Sequence, residues 1–355
     1  MAAVEDAVLI IGGGPAGLEA ARAVADLGRR AILVEMKDRL GGTPAEHYAT
    51  LTPHLEETET AMRDMLRGVE NHPLVEVRLR SRVVGSTGQA GHFRVLVENA
   101  GGQREELAVG AVIVATGFQH FDPGRETQVY GYYEYDDVVT LVDLEHMMQA
   151  GRVVRPSTGV PPERVAFIQC VGSRDRQIGN TYCSKVCCGI ASKQAIEIKR
   201  LLPSAKVFIF YIDMRMYGFW EDQIYWKAQE EYKVNYIRGI VTEVIRKGDK
   251  LLLKGEDTTM GRPMEVLMDL VVLSVGMEPS RGTLEMARVF GLPREAHGFL
   301  ATVGEPLDTV ATPVPGVFVA GAAAGPKDLE DSVSMGGAAA ARAVGLLNRL
   351  ARTSA

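Results

Sequence analysis

All four cysteines of this 355-residue chain fall in one short stretch, CVGSRDRQIGNTYCSKVCC, as Cys170, Cys183, Cys187 and Cys188. Thiols gathered in this way bind a metal, carry a redox couple or cross-link a fold, and their spacing separates these uses. Structural zinc sites are usually built from separated C-x(2–4)-C pairs, whereas two of these cysteines are adjacent. A redox disulfide would normally show C-x-x-C, which is absent. Unrelated buried thiols would not be expected to collect in one loop while the rest of the chain has none. No histidine lies between His146 and His297, so a mixed Cys/His site would need a distant partner. The spacing does not follow the usual ferredoxin runs either. The residue types therefore favour an iron-sulfur cluster, with its nuclearity unfixed and the zinc and disulfide readings still open.

The elements that must position these thiols are announced at the N-terminus. Residues 7–11 form an apolar run of buried-strand length, followed by GGGPAG and by LEAARAVADLG, whose apolar residues recur at helical spacing. Gly12, Gly14 and Gly17, with Pro15 and Ala16 between them, fill the G-x-G-x-x-G pattern. In that pattern the first glycine permits a tight turn, the second lets the backbone approach a pyrophosphate, and the third lets helix and strand pack closely. A second strand, AILVE, ends at Glu35, placed to hold the hydroxyls of an adenosine ribose; the acid favours FAD or NAD over NADP.

Residues 164–280 repeat the design without its glycines. A strand VAFIQ, a helix CGIASKQAIEIKRLL, a strand KVFIFYID and a strand VVLSVG come in order, but the turn expected to carry a second glycine motif is replaced by the thiol-bearing loop. That loop is longer than such connections usually are. The four sulfurs are thereby directed to the carboxyl end of a doubly wound sheet, where such domains bind ligands. Cys187 and Cys188 open the helix, whose N-terminal dipole favours the negative charge of a thiolate-bound cluster. The fold class expected is α/β with two Rossmann-like units.

Composition limits the partners. The net charge of −6 and the lack of Lys/Arg runs interleaved with aromatics argue against nucleic acid. The apolar runs are strand-sized and the first residues show no positive n-region, so neither a spanning helix nor a signal peptide is expected, and the cytoplasm is the expected location.

Three further segments, DRLGG, AVIVATG and TPVPGVFVAGAAAG, each read as a strand or turn ending in small residues. Together with the glycine motif they resemble the thioredoxin reductase-like flavoproteins, which implies a discontinuous FAD-binding domain over 1–122 and 300–355 and an inserted NAD-domain-like unit, 123–299, carrying the cluster loop. That resemblance implies FAD contacts at Met36, Gly41, Gly42, Thr43, Val83, Ala115, Thr116, Gly117, Gly321 and Ala322, the last standing where the wider group usually has Asp. Over nearly the whole chain, FIQCVGSRDRQIGNTYCSKVCCGIASKQAIEIK, VFIFYIDMRMYGFWED and AGAAAGPKDLEDSV resemble the A subunit of heterodisulfide reductase, which shares the AGAA form. The resemblance implies a [4Fe-4S] cluster on Cys170, Cys183, Cys187 and Cys188 beside FAD. It also implies B- and C-like partner subunits and a homodimer. With only four cysteines and a short hairpin where an insert would lie, the chain resembles the compact heterodisulfide reductase-like proteins of sulfur oxidisers, whose complexes cooperate with a lipoate-binding protein. Direct flavin-to-cluster transfer is expected in preference to electron bifurcation.

Lys193, on the helix leaving the cluster, is a candidate cation for the flavin N5 edge, with an exposed helical lysine as the alternative. Lys327 and Asp328 are expected to line the flavin ring, and Ser332 and Val333 to present a helix N-terminus to its N1/O2 edge. Tyr217, Phe219 and Trp220 read as core or interface residues before cofactor cover. The competing functional reading is a self-sufficient pyridine-nucleotide disulfide oxidoreductase, against which stand the missing second glycine motif and the missing C-x-x-C.

Overall fold

The computed structural model describes residues 4–52, 54–126, 128–304 and 306–354. The chain divides into two units, the first running to Glu46 and continuing through Glu59–Gln119 and from Glu278 onward, the second comprising His47–Thr58 and His120–Met277.

In the first unit, β1 (Val8–Ile11) leads into α1 (Pro15–Asp26) and then β2 (Ala31–Val34). Every residue of both strands is buried, as a parallel sheet covered on both faces requires. Pro15 stands in the first turn of α1, where its missing N–H costs nothing, and Gly28 follows the helix in the left-handed region (φ 78°). The five-stranded parallel sheet runs Val317–Val319, Ala111–Val114, β1, β2, Val75–Arg78, with Ile11 paired to both Val34 and Val114. The C-terminal helix Leu329–Ser354 packs along α1. Its SMGGAAAA run explains the close approach: a Cβ on Gly336 would lie 2.4 Å from the Ala16 carbonyl oxygen. An antiparallel sheet of Ser81–Thr87, Phe93–Asn99 and Arg104–Val109 completes the unit, its inward Val83, Phe93, Val95 and Val97 packing with Ile32 and Val34.

In the second unit, β3 (Arg164–Val171), α2 (Cys187–Leu201) and β4 (Lys206–Tyr211) form the repeated Rossmann core. Its sheet runs Val138–Thr140, Leu270–Val275, β3, β4, Asn235–Lys247, Lys250–Asp257, Arg262–Met268; the first five strands are parallel and the last two return antiparallel. Val165, Ala166, Phe167, Ile168, Val207 and Ile209 are at most 3% exposed, each contributing about 1.5–3 kcal/mol where the side chain is large.

The boundaries lie at other positions than the sequence pattern gives. Helix Arg281–Val289 joins the first unit because Met286, Ala287 and Phe290 pack with Val112, Val114 and Phe93, so the second crossing falls between Met277 and Glu278 instead of near 300. Residues His47–Thr58 belong to the second unit because polar contacts with Glu145, Lys193 and Glu197 hold them there. Among the described residues, no helix is long and apolar enough to cross a membrane.

Candidate functional site

The nucleotide turn of the first unit shows separate steric reasons for Gly12 and Gly17. Gly12 has φ 109°, and a Cβ there would lie 2.3 Å from the Ala115 carbonyl oxygen. A Cβ on Gly17 would lie 1.8 Å from the Gly12 carbonyl oxygen, which fixes the approach of α1 to the end of β1. Gly14 differs: its φ is −78°, and the nearest atom to a Cβ is the Gly42 Cα at 3.9 Å. Nothing in the protein demands glycine at 14, and the turn leaves open the space through which the motif lets a pyrophosphate approach.

Glu35 is 8% exposed and closes this turn. Its Oε2 accepts from the Gly13 amide at 2.6 Å and its Oε1 from the Lys37 amide at 2.8 Å. Each carboxylate oxygen keeps a further lone pair for a ribose hydroxyl. Gly41 (φ 110°) and Gly42 (φ 60°) bend the following segment against the turn, where the Gly41 amide donates to the Gly13 carbonyl at 2.8 Å. Met36 is exposed, whereas Thr43 is half-buried in the short helix Gly42–His47. Ala115 continues the sheet through its amide, which donates to the Ile11 carbonyl. The Thr116 hydroxyl pairs with that of Thr283 at 2.7 Å, and the Thr283 hydroxyl donates to the Gly117 carbonyl. Gly321 (φ 65°) starts a tight turn, Gly321–Ala324, within which Ala322 is buried. The side chain of Val83 is spent on the core, leaving only its backbone to face a ligand.

At the C-terminal helix the sequence expectation needs correcting. The helix begins at Leu329, ahead of Ser332 and Val333, because the Asp328 carboxylate accepts from the Asp331 amide at 2.8 Å and caps it. Ser332 turns both its amide and its hydroxyl to the Asp328 carbonyl, at 3.1 and 2.7 Å, so it does not present an open N–H. Lys327 and Val333 are half-buried beside this start.

The thiol loop of the second unit is more ordered than a long irregular connection. The Arg174 amide donates to the Tyr182 carbonyl at 2.8 Å, and Asp175 and Asn180 form an antiparallel bridge. Ser184, fully buried, accepts the Met277 amide at 3.0 Å, while the Tyr182 hydroxyl donates to the Met277 carbonyl. These ties bring the loop's ends to the carboxyl edge of the sheet. Cys170 has φ 63°, beside an irregularity in the pairing of β3 with Leu270–Val275, and Cys187 and Cys188 open α2. All four thiols are free of disulfides.

Cys170, Cys187 and Cys188 hydrogen-bond among themselves. Accepting from Cys187 is the main cause that lowers the Cys170 thiol to about 7, helped by Arg174 and opposed by burial. Donation to Cys170 and Cys188, with burial, raises Cys187, and the bond from Cys187 lowers Cys188. The Cys183 sulfur accepts from the Lys185 amide at 3.3 Å. Among the described residues, no group of three or more His, Cys, Asp or Glu side chains is disposed to hold a single metal ion. A four-iron cluster makes a different demand, one thiolate per iron at separate corners. The donor chemistry fits that demand, and so do the neighbours. The Gln169 amide and the Ser173 hydroxyl are buried without a protein partner, one residue before and three after Cys170. Buried polar groups are rarely left so, and N–H and O–H donors are what the sulfurs of a bound cluster require.

Trp220 packs on the helix start: a Cβ on Gly189 would lie 2.2 Å from its ring. Tyr217 and Phe219, by contrast, are 63% and 72% exposed. Asp213 follows β4, at the point where a nucleotide-binding unit offers its acid to a ribose. Here its carboxylate is bonded to the Arg174 guanidinium and lies 3.5 Å from Arg215 Nε.

Lys193 is neither an exposed helical lysine nor a free cation. It is 1% exposed, and its ammonium lies 2.5 Å from Glu145 Oε1, 3.1 Å from the Thr50 carbonyl oxygen and 3.7 Å from Glu197 Oε2. Glu145 also accepts from Gln194 and from the Ala49 amide, and the Thr50 hydroxyl donates to Glu197 at 2.5 Å. Burial raises the Glu197 carboxyl despite the nearby lysine. Removing the cation would leave buried Glu145 unpaired, so Lys193→Met is expected to lower unfolding stability by about 3–5 kcal/mol. Denaturant unfolding of the variant measures this; unchanged stability with an altered flavin spectrum would instead assign the lysine to the cofactor.

Two Rossmann-type parallel sheets, one with a complete glycine turn and ribose acid, define the class: a flavoprotein oxidoreductase of the two-dinucleotide-domain type. Residues 6–345 match the pyridine nucleotide-disulphide oxidoreductase family, and the chain belongs to that family. It is 32% identical to the A subunit of the H2:CoB-CoM heterodisulfide,ferredoxin reductase of Methanothermobacter marburgensis, over 96% of this chain and 64% of the relative. It is 33% identical to one of the CoB–CoM heterodisulfide reductase iron-sulfur A subunits of Methanopyrus kandleri, with the same coverage. The chain thus spans less than two thirds of the length of these relatives. The fold also resembles the thioredoxin reductase of T. acidophilum, with a TM-score of 0.65 at 19% identity over 96% of this chain and 99% of that one.

The sequence pattern missed Glu145, Glu197, Gln169, Ser173, Arg174 and Asp213. Only Asp213 had a signal, its place at the end of a Rossmann strand.

Proposed function

We propose that this chain is an electron-transfer component of a heterodisulfide reductase-like complex, holding FAD in its first unit and a [4Fe-4S] cluster on Cys170, Cys183, Cys187 and Cys188 in its second. The observation that carries the reading is the substitution at the second nucleotide site. Where a glycine turn and a ribose acid would stand, the chain has four free thiols, buried donors without partners, and an Asp213 already engaged by arginine. The name of the M. kandleri relative, which calls it an iron-sulfur protein, supports it.

When bound, FAD accepts or gives two electrons and the cluster moves one, so the pair interconverts two-electron and one-electron chemistry. The protein's part is to position and tune. Gly14 admits the pyrophosphate and Glu35 the ribose. Gly12, Pro15, Ala16, Gly17, Met36, Gly41, Gly42, Thr43, Val83, Ala115, Thr116, Gly117, Gly321 and Ala322 would outline the same pocket, while Lys327 and Asp328, ahead of the helix that starts at Leu329, and Ser332 and Val333 in its first turn would face the flavin ring. The short turn at residues 100–103 between two paired strands supports grouping the chain with the compact proteins of sulfur oxidisers. There it would work in the cytoplasm, as a homodimer, with B- and C-like subunits and a lipoate-binding protein as partners.

Anaerobic purification followed by iron and sulfide analysis and EPR of the reduced protein tests the assignment. About four irons per chain with a reducible EPR signal is the expected result. Protein that contains flavin alone and rapidly oxidises NAD(P)H would overturn it in favour of a self-sufficient pyridine-nucleotide enzyme.

A further inference from the structure

We propose that Arg174, clamped by Asp213, is a positioning residue that raises the reduction potential of the centre on the thiol loop; this rests on the cluster reading above. Arg174 has φ 56°, in the left-handed region that side chains other than glycine enter infrequently. The backbone around it is pinned: the Ser173 amide donates to the Cys170 carbonyl at 3.1 Å and the Arg174 amide to Tyr182. This conformation carries the side chain to Asp213, just beyond β4, and the Arg174 side chain is 19% exposed. From there its positive charge acts on the thiol of Cys170, four residues earlier on the same loop.

Arg215 flanks the other side of the same carboxylate, its Nε 3.5 Å from Asp213 Oδ2, and its charge acts on Cys183. Two cations thus share one anion, and the surplus is positive. An ordinary surface ion pair explains the Arg174–Asp213 contact alone, and Asp213 is 42% exposed. It does not explain a left-handed arginine held four residues after Cys170, on a loop whose Ser173 amide is bonded to the Cys170 carbonyl. Guanidinium remains charged at any working pH, so the effect is that of a fixed cation. A one-electron reduction adds negative charge to the centre, and a fixed positive charge beside a sulfur ligand stabilises the reduced form more than the oxidised one.

The test uses the full chain, purified without air, as wild type, Arg174→Gln and Arg174→Lys. Iron and sulfide are measured first, then the midpoint of the reduced-state EPR signal by potentiometric titration. With iron content equal in all three, the midpoint is expected to shift negative in Arg174→Gln and by a smaller amount in Arg174→Lys, which keeps the charge but loses the planar fork. An unmoved midpoint in Arg174→Gln overturns the inference while leaving the cluster assignment intact. Loss of iron in both variants overturns it too, because the clamp would then be a support for the loop. Absence of iron from the wild type sinks the cluster reading itself and takes this inference with it.

Discussion

Cys187→Ala is expected to yield a protein that keeps its flavin and loses its iron. Cys187 is 1% exposed at the first position of α2, and its sulfur lies among those of Cys170 and Cys188. Deleting it leaves three thiolates, one corner short of what a four-iron centre requires. The fold should tolerate the change. The thiol packs in a small cluster with Met216, Ile224 and Trp220, and trimming one sulfur there resembles deletion of a single methyl-sized group, about 1 kcal/mol. The residues proposed to hold the flavin belong to the other unit and have no reason to follow. The same outcome is expected at Cys170, Cys183 and Cys188. Of the four, Cys183 is the most informative, because its sulfur accepts from the Lys185 amide, whereas Cys187 acts on the thiols of Cys170 and Cys188. A Cys183→Ala protein with full iron would remove it from the ligand set and point to a three-thiolate centre.

How much of this was legible beforehand depends on how local each feature is. The glycine turn, Glu35 and the strand sequence of both units are short-range patterns, and the parallel sheets form where those patterns place them. The destination of the thiols was also legible, because a strand, a loop and a helix in that order fix the carboxyl edge of a doubly wound sheet. The start of the C-terminal helix was misplaced because the small-residue run beginning at Ser332 is more conspicuous than the cap. Asp328 extends the helix by a turn, and Lys-Asp ahead of Leu-Glu-Asp gives little apolar signal.

Lys193 illustrates the limit more sharply. Its partners Glu145 and Thr50 lie 48 and 143 residues away, and the segment that supplies Thr50 leaves the first unit to pack in the second. A helical lysine five residues after Cys188 carries no local sign of burial. The same holds for Gln169 and Ser173, ordinary polar residues until a sheet closes over them.

The glycine turn provides the second large effect, and a contrast internal to it. Gly17→Ala is expected to damage the fold, since the new Cβ would sit 1.8 Å from the Gly12 carbonyl oxygen, a backbone atom that cannot move without unpairing the end of β1 from its neighbours. Gly14→Ala places the same methyl group at the same turn with no protein atom nearer than 3.9 Å, at φ −78°, which alanine adopts without strain. Apo-protein stability should therefore be unchanged by Gly14→Ala, while FAD must approach past the added methyl. Overpacking of that kind costs about 1–3 kcal/mol, roughly a five- to 150-fold rise in the dissociation constant. Flavin titration of the apo-protein, alongside its thermal unfolding, separates the two quantities. Equal FAD affinity in Gly14→Ala and wild type would mean that the pyrophosphate does not pass over this turn. The first unit would then hold its nucleotide elsewhere, and Glu35, bonded to the Gly13 and Lys37 amides, would be a brace for the turn with no ribose to bind.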